Sequence, residues 1–188
     1  MDERFLPELP QETILSFSAL EIPLKQPVVF LFRHGERPLD QLAHDVQLTE
    51  EGALQSIEFG KFLRNSGVDP GVFLSSPYKR CQETLHYIIE GWGIDPKKYP
   101  VLDEIKLGHA RYDTMKEIVH KTLKISTKTS NNYNQLHLLC SHDLMIGDCI
   151  RELFPKLVRS KADSLPGFLE GILWSKDFAI WKGNKITL

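Results

Sequence analysis

Two histidines and three arginines stand at positions from which they could contact one ligand. His34 lies in the stretch "FRHGER", between Arg33 and Arg37, while Arg80 lies in "SSPYKRCQET" and His142 in "CSHD". Each stretch follows an apolar run of the kind that forms a buried strand. Because guanidinium groups pair with phosphate oxygens through charge-assisted hydrogen bonds, this set of residues predicts a site for a phosphate-like anion.

The chemistry that these residue types support is phosphoryl transfer. Histidine can act as a covalent nucleophile, so His34 could attack phosphorus in line while the arginines neutralise the equatorial oxygens. His142 would donate a further hydrogen bond to the same oxygens. A carboxylic acid must protonate the leaving alcohol and later activate water, and Asp143 and Glu104 are the candidates. We expect neither a metal nor another cofactor.

The elements that must position these residues alternate between strands and helices. Apolar runs and helical periodicity predict strands at 28–32, 71–76 and 136–141, and helices at 50–66, 77–91, 114–123 and 144–154. Short strands follow near the C-terminus, with Gly183-Asn184 as a hairpin turn, and the polar run 126–135 is predicted to be a surface loop. This order predicts an α/β fold, a three-layer α/β/α sandwich with a mostly parallel mixed sheet. In such sheets ligands bind at the carboxyl ends of the strands, where the candidate residues lie.

Length and composition indicate an ordinary globular protein. The 188 residues predict one domain at 27–188, preceded by an N-terminal extension at 1–26 with a short helix near Ile14. A net charge of −2 argues against nucleic-acid binding. Three cysteines without ligand-like spacing, an acidic start and no long apolar run predict a reduced, cytoplasmic protein that does not cross a membrane.

At the candidate residues the sequence resembles the histidine phosphatase superfamily, also called phosphoglycerate-mutase-like. "FRHGER" is similar to the nucleophile motif of that family, "LTEEGALQSIEFGKFL" to the helix after it, "LSSPYKRCQET" to the segment with a second phosphate arginine, and "CSHD" to the second histidine. The resemblance covers residues 28–150 in the order of the family. It implies a phosphoglycerate-mutase-like fold, metal-independent phosphohistidine chemistry, and a phosphate pocket formed by Arg33, His34, Arg80 and His142.

The motifs combine features of two branches of that family, and the branches differ in the acid. "RHGERP" resembles the acid phosphatase branch, in which Arg37 would also bind phosphate and Asp143 would donate the proton. "LDEIKLG" resembles the mutase and small-phosphatase branch, in which Glu104 would do so. The Trp-Glu-Gly that usually follows in the second branch is replaced by "HARYD". The sequence therefore favours Asp143 over Glu104.

Three other functions compete with a phosphatase acting on a phosphorylated small molecule or a phosphoprotein. A metal-dependent HD-type phosphohydrolase fits poorly, because that domain is helical and because the arginines would repel a metal cation. A pseudophosphatase adaptor would bind phosphate without turnover if neither carboxylate reached the leaving group. A phosphoglycerate-mutase-type phosphotransferase would have to exclude water from the intermediate, which short connections disfavour.

Overall fold

The computed structural model describes residues 8–38, 40, 45–129 and 133–188, which form seven strands and five α-helices. In chain order the elements are α1 Gln11–Ser18, β1 Val28–Arg33, α2 Glu50–Ser66, β2 Asp69–Ser75, α3 Lys79–Trp92, β3 Val101–Asp103, a 3₁₀ helix Ile105–Gly108, α4 Tyr112–Thr129, β4 Gln135–Ser141, α5 Asp143–Leu153, a 3₁₀ turn Ala162–Ser164, β5 Gly171–Trp174, β6 Phe178–Trp181 and β7 Asn184–Thr187. No helix in these ranges is long and apolar enough to cross a bilayer.

One mixed sheet forms the centre of the fold. Its strand order is β3-β2-β4-β1-β5-β6-β7. The first four strands are parallel, whereas β5, β6 and β7 each run antiparallel to the preceding neighbour. Helices α1, α2 and α3 cover one face, and α4 and α5 cover the other. The predicted three-layer α/β/α sandwich with a mixed sheet is confirmed.

Strand β1 lies between the two helical layers and is buried on both faces. Val28, Phe30 and Phe32 pack under α2 and α3, and the alternate side chains Val29 and Leu31 pack under α4 and α5. All five side chains are inaccessible to solvent. Each such burial stabilises the fold by about 1.5–3 kcal/mol. The continuous apolar run therefore anchors the strand whose end carries the nucleophile candidate.

Two glycines allow α2 and α3 to pack at unusually short range. A Cβ on Gly60 would lie 2.2 Å from the carbonyl oxygen of Ile88, and one on Gly91 would lie 2.0 Å from that of Ile57. The prediction that Gly91 ends α3 is wrong, since the helix continues to Trp92 and Gly93 adopts the left-handed conformation that terminates it. Gly91 is thus a packing residue, and it fixes α3 against α2.

Three further sequence predictions need correction at element ends. Helix α3 begins at Lys79 rather than at Pro77. Helix α4 begins at Tyr112 and extends to Thr129, into the run predicted as loop, because no glycine or proline interrupts that stretch; residues 130–132 of the run lie outside the described part. The last hairpin turns at Lys182 and Gly183, which have φ of 48° and 75°, one residue earlier than predicted. Two left-handed residues give the type I′ turn that matches strand twist.

Helix α1 packs against the main core, within the stretch predicted as an extension. The Phe17 ring makes edge contacts with Phe30, Phe59 and Phe62 at centroid distances of 5.2–5.7 Å. Thr13 donates a hydrogen bond of 2.9 Å to the carbonyl oxygen of Leu169. The helix thus ties the start of the chain to a segment close to the candidate site.

Candidate active site

The carboxyl ends of three parallel strands bring the candidate residues together. His34 follows β1, and its amide donates to the carbonyl oxygen of Ser141 at 3.2 Å. Ser76 follows β2, and its amide donates to the carbonyl oxygen of Cys140 at 3.0 Å. His142 follows β4 directly. The sheet register therefore places both histidines at one edge, as the sequence predicts.

His34 is held as a neutral imidazole with a defined tautomer. The ring is 2% exposed, and burial lowers its pKa to about 2, with the nearby His142, Arg80 and Arg33 acting in the same direction. Nε2 accepts a hydrogen bond of 3.1 Å from Nε of Arg80, and Nδ1 lies 2.8 Å from the carbonyl oxygen of Gly35. Because an arginine can only donate, the proton is on Nδ1 and the lone pair is on Nε2. Nε2 is therefore the ring atom with a lone pair that could act as a nucleophile, and it faces a cation.

The Arg80 side chain joins the two histidines. Its Nη2 lies 3.4 Å from Nδ1 of His142, so that nitrogen accepts, and Nε2 of the same ring donates to Oγ of Ser76 at 3.0 Å. The ring centroids of His34 and His142 are 5.5 Å apart. Arg80 and His142 are 7% and 8% exposed. The guanidinium thus contacts both rings within a largely buried polar cluster.

Arg33 lies close enough to His34 for its charge to act on the imidazole. Its Nη2 is 3.3 Å from Oδ2 of Asp143, and its Nη1 donates to the carbonyl oxygen of Pro166 at 3.0 Å. Its Nε is buried and has no hydrogen-bond partner among the described residues. A buried N–H without a partner costs about 1–3 kcal/mol, so a bound anion that accepted from it would stabilise the site.

Arg37 belongs to the same electrostatic cluster, although it lies at the start of the loop after β1. Its Nη1 donates to the carbonyl oxygen of Pro38 at 2.7 Å. Burial lowers the pKa of both Arg33 and Arg80, and the positive charge of Arg37 lowers each further. All three guanidiniums remain charged, since arginine does not lose its proton in proteins. Arg37 therefore belongs to the same cluster of positive charges as Arg33 and Arg80.

A backbone contact explains the glycine of "RHG". The amide of Gly35 donates to Oγ1 of Thr84 on α3 at 2.9 Å. A Cβ on Gly35 would lie 3.0 Å from the carbonyl oxygen of Gly52 and 3.0 Å from Oγ of Ser56, both on α2. The main chain after His34 is thus packed closely against both helices, which leaves little room for a side chain.

The two candidate acids have different surroundings. Asp143 is the first residue of α5, pairs with Arg33, and has a 35% exposed side chain. Glu104 precedes the 3₁₀ helix, and its Oε1 accepts from the amide of Lys106 at 3.2 Å. Its side chain lines a separate cleft against α4, together with Glu117 and Lys121. Within the described part of the chain, the Glu104 carboxylate has no hydrogen bond or ion pair with the arginines and histidines of the site.

Sequence reasoning missed several residues of the site. Ser76 contacts His142, and the Tyr78 ring stacks edge-on against the same imidazole at 4.6 Å. Pro166 and Phe168 contact Arg33 from a distant part of the chain. Ser76 and Tyr78 lie in the quoted arginine segment and could have been singled out there, whereas no motif marks the other two. In the described ranges, no group of three or more histidine, cysteine, aspartate or glutamate side chains is arranged to hold a metal ion.

Comparison with solved structures shows the same fold. Phosphoglycerate mutase from Bacillus anthracis str. Sterne superposes with a TM-score of 0.62, over 86% of this chain and 91% of that one, at 14% identity. The protein histidine phosphatase SixA complexed with tungstate superposes with a TM-score of 0.59, over 86% of this chain and 94% of that one, at 19% identity. The ecdysone phosphate phosphatase from Bombix mori in complex with tungstate superposes with a TM-score of 0.51, over 72% of this chain and 80% of that one, at 16% identity.

Sequence comparison points to the same group of proteins. An 87-residue stretch is 33% identical to the 2,3-bisphosphoglycerate-dependent phosphoglycerate mutase of Treponema denticola; it covers 44% of this chain and about a third (34%) of that protein. A family model described as "Histidine phosphatase superfamily (branch 1)" matches residues 29–154, about two-thirds of the chain. That range contains the histidines, arginines and carboxylates of the candidate site. The chain therefore belongs to the histidine phosphatase superfamily.

Proposed function

We propose that the protein is a metal-independent phosphatase that hydrolyses phosphate monoesters through a phosphohistidine on His34. The observation that carries the proposal is the geometry of that ring: a neutral, buried imidazole whose Nε2 lone pair faces the Arg80 guanidinium at 3.1 Å. A phosphate bound to the arginines would lie where this lone pair can reach phosphorus. The pocket would thereby orient both the nucleophile and the electrophile before reaction.

The first half of the reaction transfers the phosphoryl group to the enzyme. Substrate oxygens take over the hydrogen bonds of Arg80 and accept from Arg33, including its unpaired Nε. The Nε2–phosphorus bond forms as the phosphorus–oxygen bond to the leaving alcohol breaks, and Asp143 in its acid form protonates that oxygen. The arginines balance the negative charge on the three remaining phosphoryl oxygens, and His142, whose N–H is donated to Ser76, positions Arg80.

The second half returns the enzyme to its starting state. The Asp143 carboxylate takes a proton from water as the water oxygen attacks phosphorus, and the Nε2–phosphorus bond breaks. Inorganic phosphate leaves, Nε2 regains its lone pair, and the Arg80 hydrogen bond forms again. Asp143 is the better placed of the two acids, since it contacts Arg33 directly while Glu104 lines another cleft. We infer that the substrate is a phosphorylated small molecule or a phosphoprotein.

A second candidate is a mutase-type phosphotransferase. The sequence match to the Treponema denticola phosphoglycerate mutase favours it. In that case a second alcohol rather than water would accept the phosphoryl group from His34. Release of inorganic phosphate, measured with and without an added phosphoglycerate acceptor, distinguishes the two functions.

Hydrolysis of para-nitrophenyl phosphate in the presence of EDTA tests the proposal. We expect turnover in wild type, and in His34→Ala a fall in kcat on the order of 10⁴-fold or more, as for loss of other nucleophiles. A matched control is His137→Gln, which alters another buried histidine outside the site and should keep near-wild-type turnover. Mass spectrometry of enzyme quenched during turnover should show a phosphoryl group on His34. Loss of activity in EDTA, or turnover retained by His34→Ala, would contradict the proposal.

A further inference from the structure

Phe168 lies beside the nucleophile, although it is beyond the range 29–154 that matches the family model. Its ring centroid is 4.2 Å from Cζ of Arg33 and 5.8 Å from the ring centroid of His34. The side chain is half-buried, so part of the ring remains accessible at the site. An apolar surface thus adjoins the cationic pocket on the Arg33 side.

The segment that carries Phe168 is fixed by hydrogen bonds. Leu169, with φ of 58°, donates from its amide to the carbonyl oxygen of Arg33 at 3.1 Å and accepts from Thr13 of α1 at 2.9 Å. The carboxylate of Glu170 accepts from the amide of Gly167 at 2.9 Å. Because the backbone on both sides of Phe168 is bonded, the ring is presented in one defined position rather than on a free loop.

A second ring borders the pocket at the other arginine. The centroid of Tyr78 is 4.6 Å from Cζ of Arg80 and 4.6 Å from the ring centroid of His142. Each of these two guanidiniums is therefore covered by one aromatic ring. A ligand whose phosphate is held between the guanidiniums would have an aromatic surface on either side of its organic group.

We propose that the pocket selects phosphates whose organic group is aromatic, with Phe168 as the principal contact for that group. This inference rests on the proposed function for the location of the phosphate, and it adds the substrate class. An aromatic group stacked on Phe168 gains buried apolar area and ring contact, whereas a methyl group is too small to reach it.

Binding of two phosphonates tests the inference without requiring turnover. Benzylphosphonate and methylphosphonate carry the same anionic group and differ in the aromatic ring. Calorimetric titration of wild type should give a Kd about tenfold lower for benzylphosphonate. Phe168→Ala should lose this preference while keeping the affinity for methylphosphonate. Phe168→Leu should retain part of it and serves as the test if the alanine variant does not fold. Leu188→Ala, which alters an exposed apolar residue beyond the far edge of the sheet, is the control.

Hydrolysis rates then separate this inference from the proposed function. Benzyl and methyl phosphates suit this purpose, because their leaving alcohols have similar acidity, so a preference in kcat/KM reports contact rather than leaving-group chemistry. Equal affinity of wild type for the two phosphonates, or binding of neither, would overturn the inference. An equal loss of affinity for both phosphonates in Phe168→Ala would also overturn the inference, since Phe168 would then act only by holding Arg33. Wild type that prefers benzylphosphonate but hydrolyses neither ester would uphold the inference and refute the phosphatase.

Discussion

Two buried histidines, His137 in the middle of β4 and His34 at the carboxyl end of β1, have different surroundings. His137, in the middle, is 1% exposed and its Nδ1 accepts from the amide of Val72 on β2 at 2.9 Å. A Cβ on Gly71 would lie 2.6 Å from that same Nδ1, so the imidazole fills the place where the register of β2 shifts. This ring bonds to backbone and contributes to the structure of the sheet.

The ring at the end of β1 is buried to the same degree but faces cations. Burial lowers the pKa of His34 to about 2 and that of His137 to about 4. Burial and a lowered pKa therefore do not distinguish the two histidines. The difference is that Nε2 of His34 faces Arg80, among three arginines, where an anion can replace the hydrogen bond. The two histidines therefore differ in the group that donates to the ring nitrogen, a cation for His34 and a backbone amide for His137.

The same comparison applies to the two carboxylates and gives the largest expected effect. Asp143→Asn should lower kcat/KM for methyl phosphate by about 10²–10⁴-fold, the usual contribution of a general acid, and for para-nitrophenyl phosphate far less, because that leaving group needs no proton. Glu104→Gln, in the cleft beside α4, should behave nearly as wild type. Steady-state assays with both esters measure this. The opposite pattern would assign the acid to Glu104 and require its side chain to turn toward His34.

His34 and His137 should contribute alike to the pH dependence of folding stability, although only His34 is proposed to take part in catalysis. The unfolded chain protonates each histidine below about pH 6.5, while the folded chain keeps both neutral down to pH about 4 for His137 and about 2 for His34. The stability that these two neutral histidines contribute is therefore fully present above pH 6.5, and it is lost as the pH falls toward their folded-state pKa values. Each residue should contribute a loss of about 2 kcal/mol between pH 8 and pH 5.

Urea denaturation at these two pH values checks that expectation. His34→Asn and His137→Gln should each reduce the loss of unfolding free energy by about 2 kcal/mol, because each removes one of the two titrating groups. Of these two variants, only His34→Asn should abolish turnover. If either variant lost as much stability as wild type on acidification, that histidine would not be held neutral in the folded chain.

Much of this arrangement could be predicted from local sequence. The apolar run 28–32 is typical of a strand buried on both faces, and Thr49 and Gly67 mark the ends of α2 as observed. The parallel register then brings His34 and His142 to one edge. Periodicity and capping depend on residues that are close in sequence, so they can be recognised without the structure. The shared edge then follows because the carboxyl ends of parallel strands lie at the same side of the sheet.

Other parts depended on packing between distant residues. Gly91 resembles a helix terminator by sequence, yet its close approach to Ile57 on another helix decides its role. The motifs favour Asp143 over Glu104, but they do not give the direction of either side chain, because that direction depends on the helix that follows each residue. Phe168 lies 134 positions after His34 in the chain, and no motif links the two. A pattern read locally carries no signal for such contacts.

The smallest expected effect concerns the support of His142. Ser76→Ala removes the acceptor for its Nε2–H, which fixes the ring with Nδ1 toward Arg80. Loss of one such hydrogen bond costs about 1 kcal/mol, so kcat/KM should fall about fivefold. Ser75→Ala is the matched control, since that neighbouring buried hydroxyl donates to the backbone carbonyl of Ser76. The Kd of tungstate should rise in parallel with the fall in kcat/KM for Ser76→Ala alone. Equal effects of the two variants would mean that the β2 end, rather than the orientation of His142, controls the site.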